Sequence, residues 1–247
     1  MNEQKFTGKA DLYEKFRPSY PDELIDFLYE NAKCENVADI GAGTGKFTRC
    51  LLRKPWSVTS VEPNDDMRGK LAEIGGITVV NASAENTGLA DKSVGLVTVA
   101  QAFHWFDREK FAEECKRILT DDGKLAVVWN GFTEEGLSAR QSELCEKYSL
   151  ELQIRNSMGG DSYKRESDDF LRNRYFKSVE VAEYFGERVF DRESFVGETL
   201  SRSHAPREGQ PHYEPFVNAL NELFSEFESG GKATVKTKTI CYLGSFR

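Results

Sequence analysis

The segment VADIGAGTG, residues Val37–Gly45, runs from an apolar strand pattern into three alternating glycines. A helix pattern follows directly, because Phe47, Cys50 and Leu51 are spaced at i, i+3 and i+4. Glycine is required where φ is positive or where a Cβ would strike a ligand, and this run has more glycines than a simple turn needs. The segment predicts a strand-to-helix turn whose backbone approaches a ligand; a tight turn without a ligand is the alternative.

Strand and helix patterns alternate around this turn from Pro21 to Asn130. Helices are expected after Pro21, after the glycines, after Asn64 and after Asp107, and we expect Gly123 to end the last of them. The predicted strands are Val37–Ile40, Val58–Glu62, Ile77–Val80, Val94–Ala100 and Leu125–Trp129. This alternation predicts an α/β fold with a doubly wound, mostly parallel sheet.

The pattern changes after Asn130. Residues 131–175 are interpreted as an inserted cover, in which a helix through Leu144, Tyr148 and Leu152 precedes a polar loop, Arg155–Asp169. A further strand, a long amphipathic helix and an antiparallel last strand are then predicted, at Val179–Phe185, Tyr213–Phe227 and Val235–Phe246. The whole chain, 1–247, is expected to be one domain.

Composition favours small-molecule chemistry. The 247 residues include 33 Lys and Arg against 41 Asp and Glu, a net charge of −8, which disfavours nucleic acid or an anionic membrane as the partner. No apolar stretch is long enough to span a membrane, and Met1–Lys5 lacks the apolar character of a signal peptide. The five cysteines include no Cys-x-x-Cys pair, so no metal is expected. We expect a cytoplasmic monomer or homodimer.

The residues around the glycine turn indicate which ligand it takes. A dinucleotide motif would place its third glycine where Lys46 stands. Asp39 precedes the glycines, where its carboxylate suits a cationic amino group. Glu62 ends the second strand, where a carboxylate accepts hydrogen bonds from ribose hydroxyls. A ribose together with an amino acid head group indicates S-adenosylmethionine.

With these motifs in place, the sequence resembles the class I S-adenosylmethionine-dependent methyltransferases. It is most similar to their small-molecule branch, which includes the trans-aconitate methyltransferases and the ubiquinone-biosynthesis-like group. The resemblance spans Tyr13 to Asn130, about half of the chain. The motifs that carry it, in the family's order and spacing, are Asp39–Gly45, Val61–Pro63, Ala82–Glu85, Ala102–Asp107 and Leu119–Leu125.

The resemblance implies a set of cofactor-binding residues. Gly41, Gly43 and Gly45 would line the methionine part, and Glu62 would hold the ribose. Three consecutive residues would border the adenine, and the first of them is a serine where many relatives carry aspartate; they are Ser83, Ala84 and Glu85. Gln101, at the end of the fourth strand, would lie beside the sulfonium and its methyl group.

Aromatic and basic residues are the candidates for binding the methyl acceptor. Residues 1–30 resemble a lid segment, in which Tyr13 and Tyr20 would close the cleft and Arg17 would meet a carboxylate; alternatively, nearby prolines direct the chain and Arg17 is solvated. Trp105 would line an acceptor pocket or belong to the core. His104 follows the fourth strand and is either a general base or a ring packed on Trp105.

These observations predict an enzyme that transfers a methyl group from S-adenosylmethionine to a small-molecule acceptor by in-line displacement. Met158 and Tyr163, in the loop of the cover, can adapt to an apolar acceptor; surface disorder is the alternative explanation of this loop. Two alternatives stay open at this point: a non-catalytic protein that binds S-adenosylmethionine, and an NAD-dependent oxidoreductase.

Overall fold

The structure is a computed structural model that describes residues 10–149, 152–153 and 169–246. Its strands are β1 (Asn36–Ile40), β2 (Ser57–Val61), β3 (Ile77–Val80), β4 (Val94–Ala100), β5 (Leu119–Phe132), β6 (Phe176–Phe190) and β7 (Ala233–Phe246). Its helices are α1 (Ala10–Phe16), α2 (Asp22–Ala32), α3 (Lys46–Leu51), α4 (Asp65–Leu71), α5 (Arg108–Ile118), α6 (Gly136–Tyr148), α7 (Arg192–Leu200) and α8 (Tyr213–Phe227). A 3-10 helix covers Phe103–Trp105, and a π-helical turn covers Leu171–Tyr175.

The strands form one sheet in the order β3-β2-β1-β4-β5-β7-β6. The first five strands pair in parallel, whereas β7 is antiparallel to both β5 and β6. This confirms the predicted doubly wound, mostly parallel sheet with an antiparallel last strand. The strand order reverses between β1 and β4, and the carboxyl ends of strands at such a reversal form the crevice that binds ligands in α/β folds.

The central strands are buried on both faces, which explains their nearly continuous apolar sequences. Alternate residues of each strand enter different clusters. Ala38 and Val97 join the cluster that contains Phe111 of α5, whereas Val37 and Leu96 join the cluster formed with α2 and α3. The helices on the two faces therefore hold β1 and β4 rigidly, and with them the loops at their carboxyl ends.

Two predicted helix caps are confirmed. The Asn64 side chain accepts a hydrogen bond from Met67 N at 3.0 Å, and the Asp107 side chain accepts one from Lys110 N at 3.3 Å. Helix α7, which the sequence analysis missed, begins with a capping box in which Asp191 and Ser194 each bond the other's backbone N–H. Helix α1 was also missed, and it packs on α7.

Gly123 does not end a helix, contrary to the prediction. Helix α5 ends at Ile118, and the chain continues directly as β5, with an irregularity in its pairing with β4. A Cβ at Gly123 would lie 2.9 Å from both Leu119 Cδ2 and the carbonyl oxygen of Thr120. The glycine is therefore required by close packing within this irregular part of the strand.

The described part of the expected cover, residues 131–175, begins with the end of β5. Helix α6 follows, and its buried Leu137 and Cys145 pack with Phe216 and Leu220 of α8. Most of the predicted polar loop, including Met158 and Tyr163, lies outside the described residues, so the cover stays a prediction. Within the described ranges, no helix is long and apolar enough to cross a membrane.

Substitution of Gly244 tests the packing between β7 and β6. A Cβ there would lie 2.6 Å from the buried ring of Phe176 and 2.6 Å from the carbonyl oxygen of Ser178. We expect Gly244→Ala to lower the free energy of unfolding by about 1–3 kcal/mol. Gly131→Ala, in the adjacent strand β5, is the matched control because nothing lies within 4 Å of its Cβ position. Equal free energies of unfolding in urea for the two variants would contradict this packing.

Candidate functional site

A cavity of about 380 Å³ lies at the carboxyl ends of β1 to β4, where the strand order reverses. We call it the glycine-turn cavity. Most of the predicted site residues line it, from both the cofactor and the acceptor sets: Tyr13, Tyr20, Asp39, Gly41, Gly43, Glu62, Ser83, Ala84, Glu85, Gln101 and Trp105. The parallel strands deliver most of these residues to one edge of the sheet although they are far apart in sequence, whereas Tyr13 and Tyr20 come from the segment before β1.

The turn after β1 brings its backbone to the cavity. Gly41 and Gly43 have φ values of +69° and +59°, which favour glycine. The N–H groups of Gly41 and Ala42 donate to the carbonyl oxygen of Val61 at 2.9 and 3.1 Å, which fixes the turn against β2. A Cβ at Gly43 would have nothing within 4 Å, so this glycine borders open space that a ligand can fill.

Gly45 does not line the cavity, and its contact with the cofactor stays a prediction. Its φ is +84°, and a Cβ would lie 2.3 Å from Ile74 Cδ1 and 2.8 Å from Leu71 Cδ1. Gly45 therefore lets the start of α3 approach α4. The spacing of the motif is correct, but its third glycine serves packing between helices.

Glu62 joins the glycine turn to the end of β2. Its Oε2 accepts a hydrogen bond from Gly43 N at 2.8 Å, and its Oε1 accepts one from Asn64 N at 2.8 Å. The side chain is buried, and burial raises the pKa of its carboxyl group. Since each carboxylate oxygen can accept two hydrogen bonds, Glu62 can hold the turn and also receive two hydroxyl groups of a ligand.

Asp39 is a fully buried acid in the cavity wall. Its carboxylate accepts hydrogen bonds from Thr48 Oγ1 at 2.6 Å and Thr98 Oγ1 at 3.0 Å. Burial raises its pKa to about 6, although both threonine hydroxyls oppose that shift. Among the described residues, no lysine or arginine forms a salt bridge with it. A cationic group of a ligand suits this position.

The residues after β3 and β4 close the opposite side of the cavity. Glu85 Oε1 accepts a hydrogen bond from Asp107 N at 2.9 Å and so connects the two loops. Gln101 has a φ of +62°, a strained conformation for a residue other than glycine and one that clusters at functional sites. Its backbone N–H donates to Val128 O at 2.9 Å, and its side-chain amide donates to the carbonyl oxygen of Asn130.

Two acceptor-side predictions differ from the structure. Arg17 does not line the glycine-turn cavity; its Nη1 lies 3.5 Å from Glu198 Oε1, in a neighbouring cavity. His104 is also absent from the lining, and its ring centroid lies 4.6 Å from that of Trp105. This position agrees with the packing alternative for His104, and its role as a base stays a prediction.

Sequence reasoning missed Lys46 as a site residue. It was considered only as the residue that breaks a dinucleotide motif, yet it lines the cavity at the start of α3. It is half-buried, and burial lowers the pKa of its ammonium group. Its place directly after the glycine turn was the available signal. In the part of the chain that the structure describes, no group of three His, Cys, Asp or Glu residues could hold a metal ion.

Comparisons with known proteins match the part of the chain that contains this cavity. Residues 38–127 match the model of a methyltransferase domain. An uncharacterized methyltransferase of Mycobacterium tuberculosis is 40% identical over 126 residues, which are 51% of this chain and 51% of that protein. An uncharacterized methyltransferase of Schizosaccharomyces pombe is 34% identical over 131 residues, 50% of this chain and 52% of that protein. The chain thus spans about half the length of the curated relatives it matches.

A solved structure extends the likeness of the fold. The structure of an Anaeromyxobacter dehalogenans protein described as a type II methyltransferase aligns with this chain with a TM-score of 0.70 and 23% identity. The alignment covers 93% of this chain and 98% of that protein. The matched residues, 38–127, include the glycine turn, Glu62 and Gln101. The resemblance to the trans-aconitate branch stays a prediction. Residues 38–127 therefore resemble a methyltransferase domain, and the chain as a whole has the fold of a solved methyltransferase.

Proposed function

We propose that this protein transfers the methyl group of S-adenosylmethionine to a small-molecule acceptor by in-line displacement. The observation that carries the proposal is the combination, in one cavity, of open backbone at Gly43 with two buried acids, Asp39 and Glu62. The open space beside Gly43 lets a ligand lie against the main chain. The carboxylate of Asp39 matches the amino group of S-adenosylmethionine, and the carboxylate of Glu62 matches its ribose hydroxyls.

When bound, S-adenosylmethionine supplies an electrophilic methyl group, to which the acceptor's lone pair bonds while the carbon–sulfur bond breaks and its electron pair stays on sulfur. The protein's task is then to align the acceptor and exclude water. Gln101 is suited to this task because its backbone is held in one conformation at the end of β4. Tyr13, Tyr20 and Trp105 line the same cavity and would form the apolar wall around the acceptor.

The nature of the acceptor decides whether a base is needed. A hydroxyl acceptor must lose its proton, and His104 is the titratable group next to the wall residue Trp105 that would take it. A carboxylate or a free amine needs orientation rather than a base. The chain has more acidic than basic side chains and a net charge of −8, which favours a small acceptor over nucleic acid.

Release of S-adenosylhomocysteine tests turnover directly. The protein would be incubated with S-adenosylmethionine and a pool of small metabolites, and the products followed by mass spectrometry. We expect S-adenosylhomocysteine to form together with an acceptor heavier by one methylene. Cofactor binding without any release, across such pools, would favour a non-catalytic binding protein, and saturable NAD binding in its place would favour an oxidoreductase.

Gly43→Val tests the open backbone. The valine side chain would occupy the space beside Gly43, so we expect cofactor affinity to fall at least about tenfold. Gly76→Val is the matched control, since Gly76 also has a positive φ, +78°, and nothing within 4 Å of its Cβ position, but lies outside the cavity. Calorimetric titration with S-adenosylhomocysteine compares them. Equal affinities in the two variants would count against the site.

Glu62→Gln tests the ribose contact. A glutamine amide presents one accepting oxygen in place of two and loses the negative charge, so we expect affinity to fall about tenfold or more. Glu73→Gln, an exposed position beyond α4, is the control and should bind as the wild type does. An unchanged dissociation constant for Glu62→Gln in the same titration would remove this carboxylate from the proposal.

Asp39→Asn separates stability from binding. Because burial raises the pKa of Asp39 to about 6 from 3.8, the folded protein holds this proton more tightly than the unfolded chain does. The contribution of Asp39 to the free energy of unfolding therefore falls as the pH rises from about 4 to about 6, and is constant above that range.

The asparagine variant removes this titration. Above pH 6 we expect the ligand-free variant to be more stable than the wild type by on the order of 3 kcal/mol, with no difference below about pH 3. Its affinity for S-adenosylmethionine should nevertheless fall, because the partner of the amino group is lost. Urea unfolding across this pH range, combined with titration of the cofactor, checks both effects; a pH-independent difference in stability would refute the assignment.

A further inference from the structure

A second cavity, of about 420 Å³, adjoins the first. We call it the arginine cavity, because Arg17 and Arg188 line it, together with Tyr20 and Asn130. Tyr20 lines both cavities. The carbonyl oxygen of Asn130 accepts a hydrogen bond from the side chain of Gln101, a residue of the glycine-turn cavity. The two spaces therefore share one wall, at the position where the methyl group is expected.

Each of the two guanidinium groups in this cavity has a nitrogen without a hydrogen-bond partner. Arg188 Nη2 donates to Phe16 O at 2.6 Å, but its Nη1 is buried and has no hydrogen-bond partner. Arg17 Nε is also buried without a partner. A buried donor that loses its water without gaining an acceptor is costly, so native proteins rarely leave one. Both side chains line the cavity, so a small shift of either guanidinium group toward an anion there would give these atoms an acceptor and remove this cost.

The charges around the cavity are unbalanced. Glu198 is the buried acid here, and Arg17, Arg188 and Arg202 all act on its charge. Its Oε2 lies 3.0 Å from Arg202 Nη2, whereas its Oε1 is 3.5 Å from Arg17 Nη1. This one carboxylate pairs with both Arg202 and Arg17, and its single negative charge can balance only one of the three guanidinium charges that act on it. Glu187 also lines the cavity, but it is exposed, where water screens its charge.

Lys46, in the glycine-turn cavity, lies near the arginine cavity. Burial lowers the pKa of its ammonium group, the Glu14 carboxylate raises it, and the Arg188 guanidinium lowers it to a smaller extent. Burial, together with the neighbouring Arg17, lowers the pKa of Arg188, and Glu198 opposes this. An anion between these groups would relieve repulsion that the carboxylates of the described residues leave in place.

We propose that the arginine cavity is an anion subsite for the methyl acceptor, in which Arg17 and Arg188 bind a carboxylate or a phosphate group. This rests on the proposed function, because the rest of the acceptor would reach past Tyr20 to the methyl group. Apolar side chains also line the cavity, among them Pro18, Pro21 and Phe185, and they suit a carbon skeleton. The acceptor is therefore an organic anion whose charged group lies away from the atom that is methylated, since the two cavities are separate.

The test is calorimetric titration of the full chain with its cofactor cavity filled by S-adenosylhomocysteine. Succinate and inorganic phosphate are the two probes. We expect at least one of them to bind the wild type, and Arg188→Gln to weaken that binding about tenfold or more. Arg188→Lys, which keeps the charge but loses the planar fork, should bind with intermediate affinity. Arg140→Gln, an exposed position on α6, is the control and should bind as the wild type does.

The outcomes separate the two proposals. Binding of succinate alone assigns a carboxylate, and binding of phosphate alone assigns a phosphate. If S-adenosylhomocysteine binds but neither probe does, or if Arg188→Gln and Arg17→Gln both bind a probe as tightly as the wild type, the anion subsite is wrong. If S-adenosylhomocysteine itself does not bind the wild type, the proposed function fails. Unchanged S-adenosylhomocysteine affinity of Arg188→Gln shows that this variant is folded.

Discussion

The contact between the Glu62 carboxylate and the backbone N–H of Gly43 organises the site. It connects the end of β2 to the turn after β1 across 2.8 Å, while two further hydrogen bonds from the turn reach the carbonyl oxygen of Val61. A glycine turn free of side chains would otherwise be the most mobile part of this edge. Fixed in this way, it leaves Gly43 facing open space and keeps a buried carboxylate beside that space.

The two cavities have opposite electrostatic character, and this sorts their ligands. Asp39 and Glu62 lie in the wall of the glycine-turn cavity, which suits a cofactor with an amino group and a sulfonium. Arg17 and Arg188 lie in the wall of the arginine cavity, which suits an anion. A cationic methyl donor and an anionic acceptor would thus be drawn to neighbouring positions. The shared wall at Tyr20 would set the distance between them.

The sequence predicted the parts that depend on local pattern. The caps at Asn64 and Asp107 follow from a polar side chain directly before a helical pattern, and the placing of Glu62 at the cavity follows from its position at the end of a parallel strand. The position of Gly45 outside the cavity lining could not be predicted, because motif spacing does not tell whether a glycine faces a ligand or a neighbouring helix. That distinction depends on Leu71 and Ile74, which reach it through packing of α4.

The arginine cavity was beyond sequence reasoning for a similar reason. Arg17 was predicted to lie in the acceptor site, but its neighbour Glu198 comes from α7, a helix that the sequence analysis missed. Arg188 lies in an edge strand that was predicted to end before it. Contacts between segments that are distant in sequence, such as α1 and α7, decide which charged side chains meet. A local sequence pattern does not predict such contacts.

The structure of the protein crystallised with S-adenosylhomocysteine tests the central claim most directly. The account predicts a ligand whose amino acid end follows the backbone from Gly41 to Gly43 and whose ribose hydroxyls donate to the carboxylate of Glu62. A crystal in which the ligand lies elsewhere, or in which the glycine-turn cavity holds none of it under saturating conditions, would contradict the account.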